Sequence, residues 1–144
     1  MKSKLIQEEA GTRTFAVVFD TGDEAMAGLL EFARSERLAA SHLTAIGAFQ
    51  RATLGYYDLD AKEYAQIPVD EQVEVLSLVG DISLEGDQPK VHAHAVVGRR
   101  DGTTRGGHLL KGWVRPTLEV MVVESPAHLQ RQHDERSGLA LIRL

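Results

Sequence analysis

His92 and His94 stand one residue apart in Val91-His92-Ala93-His94-Ala95-Val96-Val97, and His108 follows in Gly106-Gly107-His108. Half of the six histidines thus fall between positions 92 and 108. The stretch reads as strand, turn, strand, with the break at Arg100-Asp101-Gly102. Alternate residues of a strand point to the same face, so His92 and His94 project together, and a hairpin return brings His108 beside them. Three imidazoles on one face suit a borderline-soft divalent cation such as zinc. The opposite face carries Val91, Ala93, Ala95 and Val97, which is the composition of a buried side. Glycine at 106 and 107 allows close backbone approach, or a positive φ, just before the third imidazole.

A closed zinc site needs a fourth protein ligand, whereas a catalytic one keeps a position open for water. Glu119 and Asp101 are candidates for a fourth ligand or for a carboxylate offsetting the ion's charge, although neither is fixed by spacing. Cupins also use a strand-borne His-x-His, but they follow it with a glutamate. Here the fourth position after His94 is Gly98, followed by Arg99, and that reading is rejected. The remaining histidines carry less chemistry. His42 is placed to interact with a helix C-terminus, and His128 and His133 lie in polar surroundings that suit a surface.

The elements that would position these residues can be read along the chain. Thr14–Asp20 is an apolar run of strand length. Thr21-Gly22-Asp23-Glu24 matches a capping box, with Thr21 as the cap and Glu24 reaching back. Met26, Leu29, Leu30, Ala33 and Leu38 then recur at helical spacing, which predicts an amphipathic helix over about 23–38. Short β-rich runs follow at 43–58, 63–68, 72–84, 90–98, 109–115, 117–124 and 139–144, mostly joined by connections short enough for antiparallel neighbours. Residues 126–131 are expected to add a short helical turn. The whole reads as one α+β domain, a largely antiparallel sheet with one main helix on it, over 12–144. Residues 1–11 form a tail or a first strand.

Bulk composition narrows the function classes. A chain of 144 residues with 43% hydrophobic and 26% charged residues fits one globular domain with a real core. No cysteine is present, which removes disulfides, thiolate metal sites and thiol nucleophiles together. With no apolar leader segment at the start, the expected compartment is the cytoplasm. The formal net charge of −5 argues against autonomous DNA binding, which rests largely on basic groups neutralising phosphates. The densest basic cluster, Arg99, Arg100 and Arg105, flanks a Gly-rich turn and reads as a solvated loop. No G-x-G-x-x-G, Walker or G-x-S-x-G pattern occurs.

A set of ordered motifs carries a family resemblance. They are Ala45-Ile46-Gly47-Ala48, Leu54-Gly55-Tyr56-Tyr57-Asp58 and Glu74 through Ser83. His92-Ala93-His94, Gly106-Gly107-His108-Leu109, Thr117-Leu118-Glu119 and an Arg131/Asp134/Gly138-Leu139 tail continue the series. With these the chain resembles the plants-and-prokaryotes conserved (PPC) domain, over about 12–143. Where that pattern often has Gly-Asn-Ile-Ser, this sequence has Gly80-Asp81-Ile82-Ser83. The resemblance implies an α+β fold, assembly as a homotrimer, and a metal site formed by the three histidines. DNA contact in the plant proteins comes from AT-hooks, and no Arg-Gly-Arg-Pro hook is found here. The C-terminal run Leu139–Leu144 is apolar and must be buried within the fold or at an interface.

Three functions follow in order. The first is a trimeric zinc-binding module for ligand recognition, regulation or assembly. The second is a DNA-associated regulator using sheet edges or the arginine turn. The third is a small zinc-dependent enzyme with Glu119 or Asp101 as base.

Overall fold

The computed structural model covers residues 1–144. It contains nine strands and one helix in the order β1 (Lys2–Glu9), β2 (Thr12–Asp20), α1 (Ala25–Ser35), β3 (Ala40–Asp58), β4 (Glu63–Val69), β5 (Val73–Glu85), β6 (Gln88–Gly98), β7 (Thr104–Glu124), β8 (Gln130–Asp134) and β9 (Leu139–Arg143). All pairings are antiparallel except β5 with β8. The path β1-β2-β7-β3-β5-β8-β9 is one sheet; β4 adds to β3, and β6 bridges β5 and β7. Strands β3, β5, β6 and β7 therefore close a ring, which leaves them without free edges and seals their inner face.

That inner face and the helix make one core. Phe19, Leu29, Phe32, Phe49, Leu78 and Leu118 are almost wholly buried within it. On β6 the alternation places Ala93, Ala95 and Val97 inside, as the pattern of apolar residues predicts, and directs the histidines outward. Near the start of β3 a buried carboxylate, Glu124, accepts from the backbone N–H groups of Ala39 and Ala40 and from the Ser41 hydroxyl. Its donors satisfy a group that would otherwise be expensive to bury.

The helix is shorter than its sequence pattern, and its cap differs from the predicted one. Glu24 is the cap, accepting from Met26 N and Ala27 N, and its Oε1 also accepts from Gly112 N at 2.9 Å. Thr21 donates instead to Pro116 O. The turn before the helix is occupied by pairing with β7, through Gly22 N to Val114 O and Val114 N to Asp23 O, so the cap moves to Glu24 and helical geometry starts at Ala25, four residues after Thr21. The helix ends at Ser35, and His42 lies on β3, away from its C-terminus.

Two further expectations are corrected. The runs at 109–115 and 117–124 form one strand, β7, because three residues on β7 bulge opposite Ala48 and Pro116 sits in that bulge. Proline, lacking an N–H, is tolerated there. Residues 126–131 form no helical turn. Leu129 donates to Ala39 O and accepts from Leu84 N, which draws the segment extended into β8. The N-terminal segment is a strand, with all its residues exposed and paired only to β2.

Candidate metal centre

His92 and His94 project from β6, and His108 projects from β7 directly opposite His94 in the register. The closeness of the strands here depends on glycine. A Cβ on Gly107 would lie 2.7 Å from Gly55 O, whereas one on Gly106 would make only ordinary contacts. Neither residue has a positive φ, so close approach alone is the reason for glycine, and only at 107.

The three imidazoles converge. Their ring centroids lie 5.1 to 5.3 Å apart, with His92 and His108 stacked and His94 edge-on to both. One ligand atom from each residue lies within 4.8 Å of the others. Nε2 of His94 is 3.2 Å from Nε2 of His92. Two nitrogens held about 2.05 Å from one tetrahedral ion are separated by about 3.3 Å, so this pair already has the spacing such an ion needs. Nδ1 of His108 is buried with no hydrogen-bond partner. A polar atom left unsatisfied in this way is costly, and its presence marks a site with chemistry beyond packing. The residues fit a divalent ion with nitrogen preference.

Electrostatics favour the metal-binding form. Burial, followed by the charges His92, His94 and Lys90 would place nearby, pushes His108 down to about 4. Burial and the neighbouring His92 also lower His94. Both rings are therefore neutral near pH 7, as ligation requires. Tyr64 lies against His108 with centroids 4.7 Å apart, and burial followed by Tyr57 raises its phenol.

Asp81 on β5 sits opposite His92, with its Oδ2 3.3 Å from Nδ1. The carboxylate is held in turn by Arg131 Nη2, at 2.7 and 2.9 Å from its two oxygens, and by the Ser83 hydroxyl at 3.0 Å. Burial works against ionisation of Asp81, but the bonds from His92, Arg131 and Ser83, with the guanidinium charge, outweigh it and hold the carboxyl at about 2. An ionised carboxylate can only accept, so a neutral His92 bonded to it carries its proton on Nδ1 and presents a bare Nε2. Arg131 Nη2 also comes to 3.5 Å from Nδ1, but the carboxylate is closer and arginine has no acceptor.

The two acidic candidates lie elsewhere. Asp101 is at the tip of the β6–β7 hairpin, where it accepts from Thr103 N and Oγ1. Four residues of strand, about 13 Å, separate His94 from Gly98 where that turn begins. Glu119 is exposed on β7 beside Ile46 and Val18. His94 pairs with Val79, Val79 with Thr44 and Thr44 with Met121, which puts the Glu119 region three strand spacings away. Asp81 and Arg131, which the sequence offered only as parts of the family motifs, and Tyr64, which it did not single out, are the groups that touch the histidines.

The architecture and histidine hairpin agree with the family of the Plants and Prokaryotes Conserved (PCC) domain, whose profile matches residues 6–126. The chain belongs to this family. Among solved structures, the PCC-family chain is similar to a metal-containing protein from Archaeoglobus fulgidus, at 35% identity and a TM-score of 0.85, covering 98% of this chain and 99% of that one. It is similar to a plant- and prokaryote-conserved protein from Pyrococcus horikoshii, at 31% identity and TM-score 0.86, with 92% of each chain covered. A Ralstonia eutropha protein named provisionally as DNA-binding shares 28% identity and a TM-score of 0.84 over 90% of each chain. A curated relative, the bifunctional protein GlmU of a Synechococcus strain, is 32% identical over 120 residues, 81% of this chain. The match spans only 18% of that much longer protein. No helix of this PCC-family chain is long and apolar enough to cross a membrane.

Proposed function

We propose that this PCC domain is a metal-binding module in which His92, His94 and His108 hold zinc or a similar divalent cation, and that it works as a homotrimer. The observation that carries the reading is the 3.2 Å separation of the His92 and His94 Nε2 atoms, with His108 completing the set. The metal-containing name of the Archaeoglobus relative supports it. Three protein ligands leave a coordination position for an outside donor, so a bound ion would supply Lewis acidity to a small ligand there. The chain's own residues would orient the imidazoles and restrict access. Its role is then recognition of a ligand, regulation or assembly.

Self-association is supported by the outer sheet face next to the histidines. Ile46, Leu76 and Val79 are 63%, 53% and 50% exposed and share one shallow depression with Met121. Val79 is the β5 neighbour of His94, so this apolar surface runs up to the metal site. A contiguous apolar patch of this kind on a sheet calls for a partner. Metal analysis of the chain purified without a polyhistidine tag tests the metal half. About one ion per chain is expected; metal-free protein that takes up no added zinc overturns it.

A further inference from the structure

The β8–β9 hairpin is lightly attached to the sheet. Its only ladder with the body of the fold is the parallel pair Leu84–Gln130 and Glu85–Arg131. Two backbone bonds at Leu129 hold the residue just before it, and the other links come from side chains, two of which lead back to the histidines. Arg131 is 8% exposed and uses its guanidinium as a junction. Nε donates to Ser83 Oγ at 2.7 Å, Nη1 donates to Ala140 O on β9 at 2.8 Å, and Nη2 donates to Asp81. Asp81 in turn orients His92. On the other side His108 lies tilted against Tyr64, Tyr64 packs edge-on against Tyr57, and Tyr57 donates to Ser137 O in the β8–β9 turn at 2.7 Å. Separate histidines are thus connected to both ends of one hairpin. The family match ends at residue 126, before this element begins.

We infer that Asp81 and Arg131 are positioning residues for the histidine triad, and that through them metal occupancy and docking of the β8–β9 hairpin are coupled. The inference rests on the metal reading above. Its physical basis is reciprocal. A cation on Nε2 of His92 strengthens the Nδ1–H to Asp81 contact, which fixes the carboxylate that anchors Arg131. A docked Arg131 holds that carboxylate where it can orient the ring before metal arrives, and equilibrium coupling of two sites must act equally in both directions. Asp81→Asn keeps the shape but removes the charge, leaving a nearly buried guanidinium without its counter-ion.

The test compares unaltered chain, Asp81→Asn and Arg131→Met in zinc affinity, read by competition with a chromophoric chelator. Amide hydrogen exchange over 130–143 is followed with and without zinc. The unaltered chain should gain protection in the hairpin when zinc is added. Each variant should bind zinc about 10- to 100-fold more weakly, and in each the zinc-dependent gain should vanish. A purely structural role for Arg131 would raise exchange equally in both conditions and leave affinity unchanged. Equal zinc affinity in all three, with the zinc-dependent protection intact, overturns the coupling while leaving the metal reading in place. No zinc binding by the unaltered chain overturns both.

Discussion

Nε2 of His92 and Nε2 of His94 lie 3.2 Å apart on one strand, while His108 closes on them from the next. Residues i and i+2 of a strand share a face by geometry, but bringing two ring nitrogens this close requires both rings to turn toward one point. Asp81 turns the first. Packing against the other two rings directs His108, and its buried Nδ1 finds no protein partner.

The metal-free protein should lose stability as pH falls from about 6.5 toward 4. His108 titrates near 4 in the fold against 6.5 for an ordinary histidine, so in that window the unfolded chain binds a proton that the folded one does not. The lowered His94 acts in the same direction. Asp81 acts in the same direction at lower pH: its carboxyl is depressed to about 2, so its contribution is present above 3.8 and is lost as pH falls from there toward 2. Urea midpoints measured across pH should fall first in the histidine window, and His108→Asn should flatten that part of the curve. An unchanged slope in the variant would refute the assignment.

Gly107→Ala should cost about 1–3 kcal/mol by forcing a methyl into the backbone of Gly55. Gly106→Ala should stay close to the parent, since its added Cβ meets nothing nearer than 3.4 Å. Thermal or urea unfolding of the two variants compares them directly, and equal stabilities would show that the strand approach at 107 is not what glycine serves.

Ile46→Asp or Leu76→Asp should dissociate the proposed homotrimer to monomers with the fold retained, because a charge on the apolar face cannot be buried unpaired. Light scattering after size-exclusion chromatography reads the mass, and circular dichroism the fold. A trimer that persists in both variants places the contact on another surface.

DNA binding should be undetectable at about 150 mM salt. Of the three arginines in the β6–β7 turn region, Arg99 is paired with Glu71 at 2.6 Å and Arg105 donates to Pro68 O. The Pro68 carbonyl is neutral, so Arg105 keeps its charge, as does Arg100, but two free arginines on a chain of net charge −5 are few for holding phosphates at that salt. Fluorescence anisotropy with duplex DNA through a salt series checks this, and salt-dependent binding with a steep slope would contradict it.

The outline of the fold was legible where side-chain pattern and burial coincide. Ala93, Ala95 and Val97 alternate with the histidines, and the α1 stripe faces the core. It was less legible where backbone pairing decides. Glu24 displaces Thr21 as the cap because Gly22 and Asp23 pair with Val114, a residue about ninety positions away. Strand β1 has no buried side and so no alternation to read. Pro116 reads as a break because nothing local announces a bulge opposite Ala48. At the site, the three histidines are close in sequence and could be grouped from spacing. Asp81 and Arg131 are fifty residues apart and meet only through β8. The one local signal was Asp81 itself, a carboxylate where the family pattern often has asparagine.

The most direct test of the metal centre is zinc affinity of the tag-free chain beside His92→Ala, His94→Ala and His108→Ala, measured by chelator competition. One zinc per chain is expected in the parent, with a loss of at least about 100-fold in each variant, since each removes a ligand from a set of three. Zinc bound equally well by all four proteins, or by none of them, would contradict it.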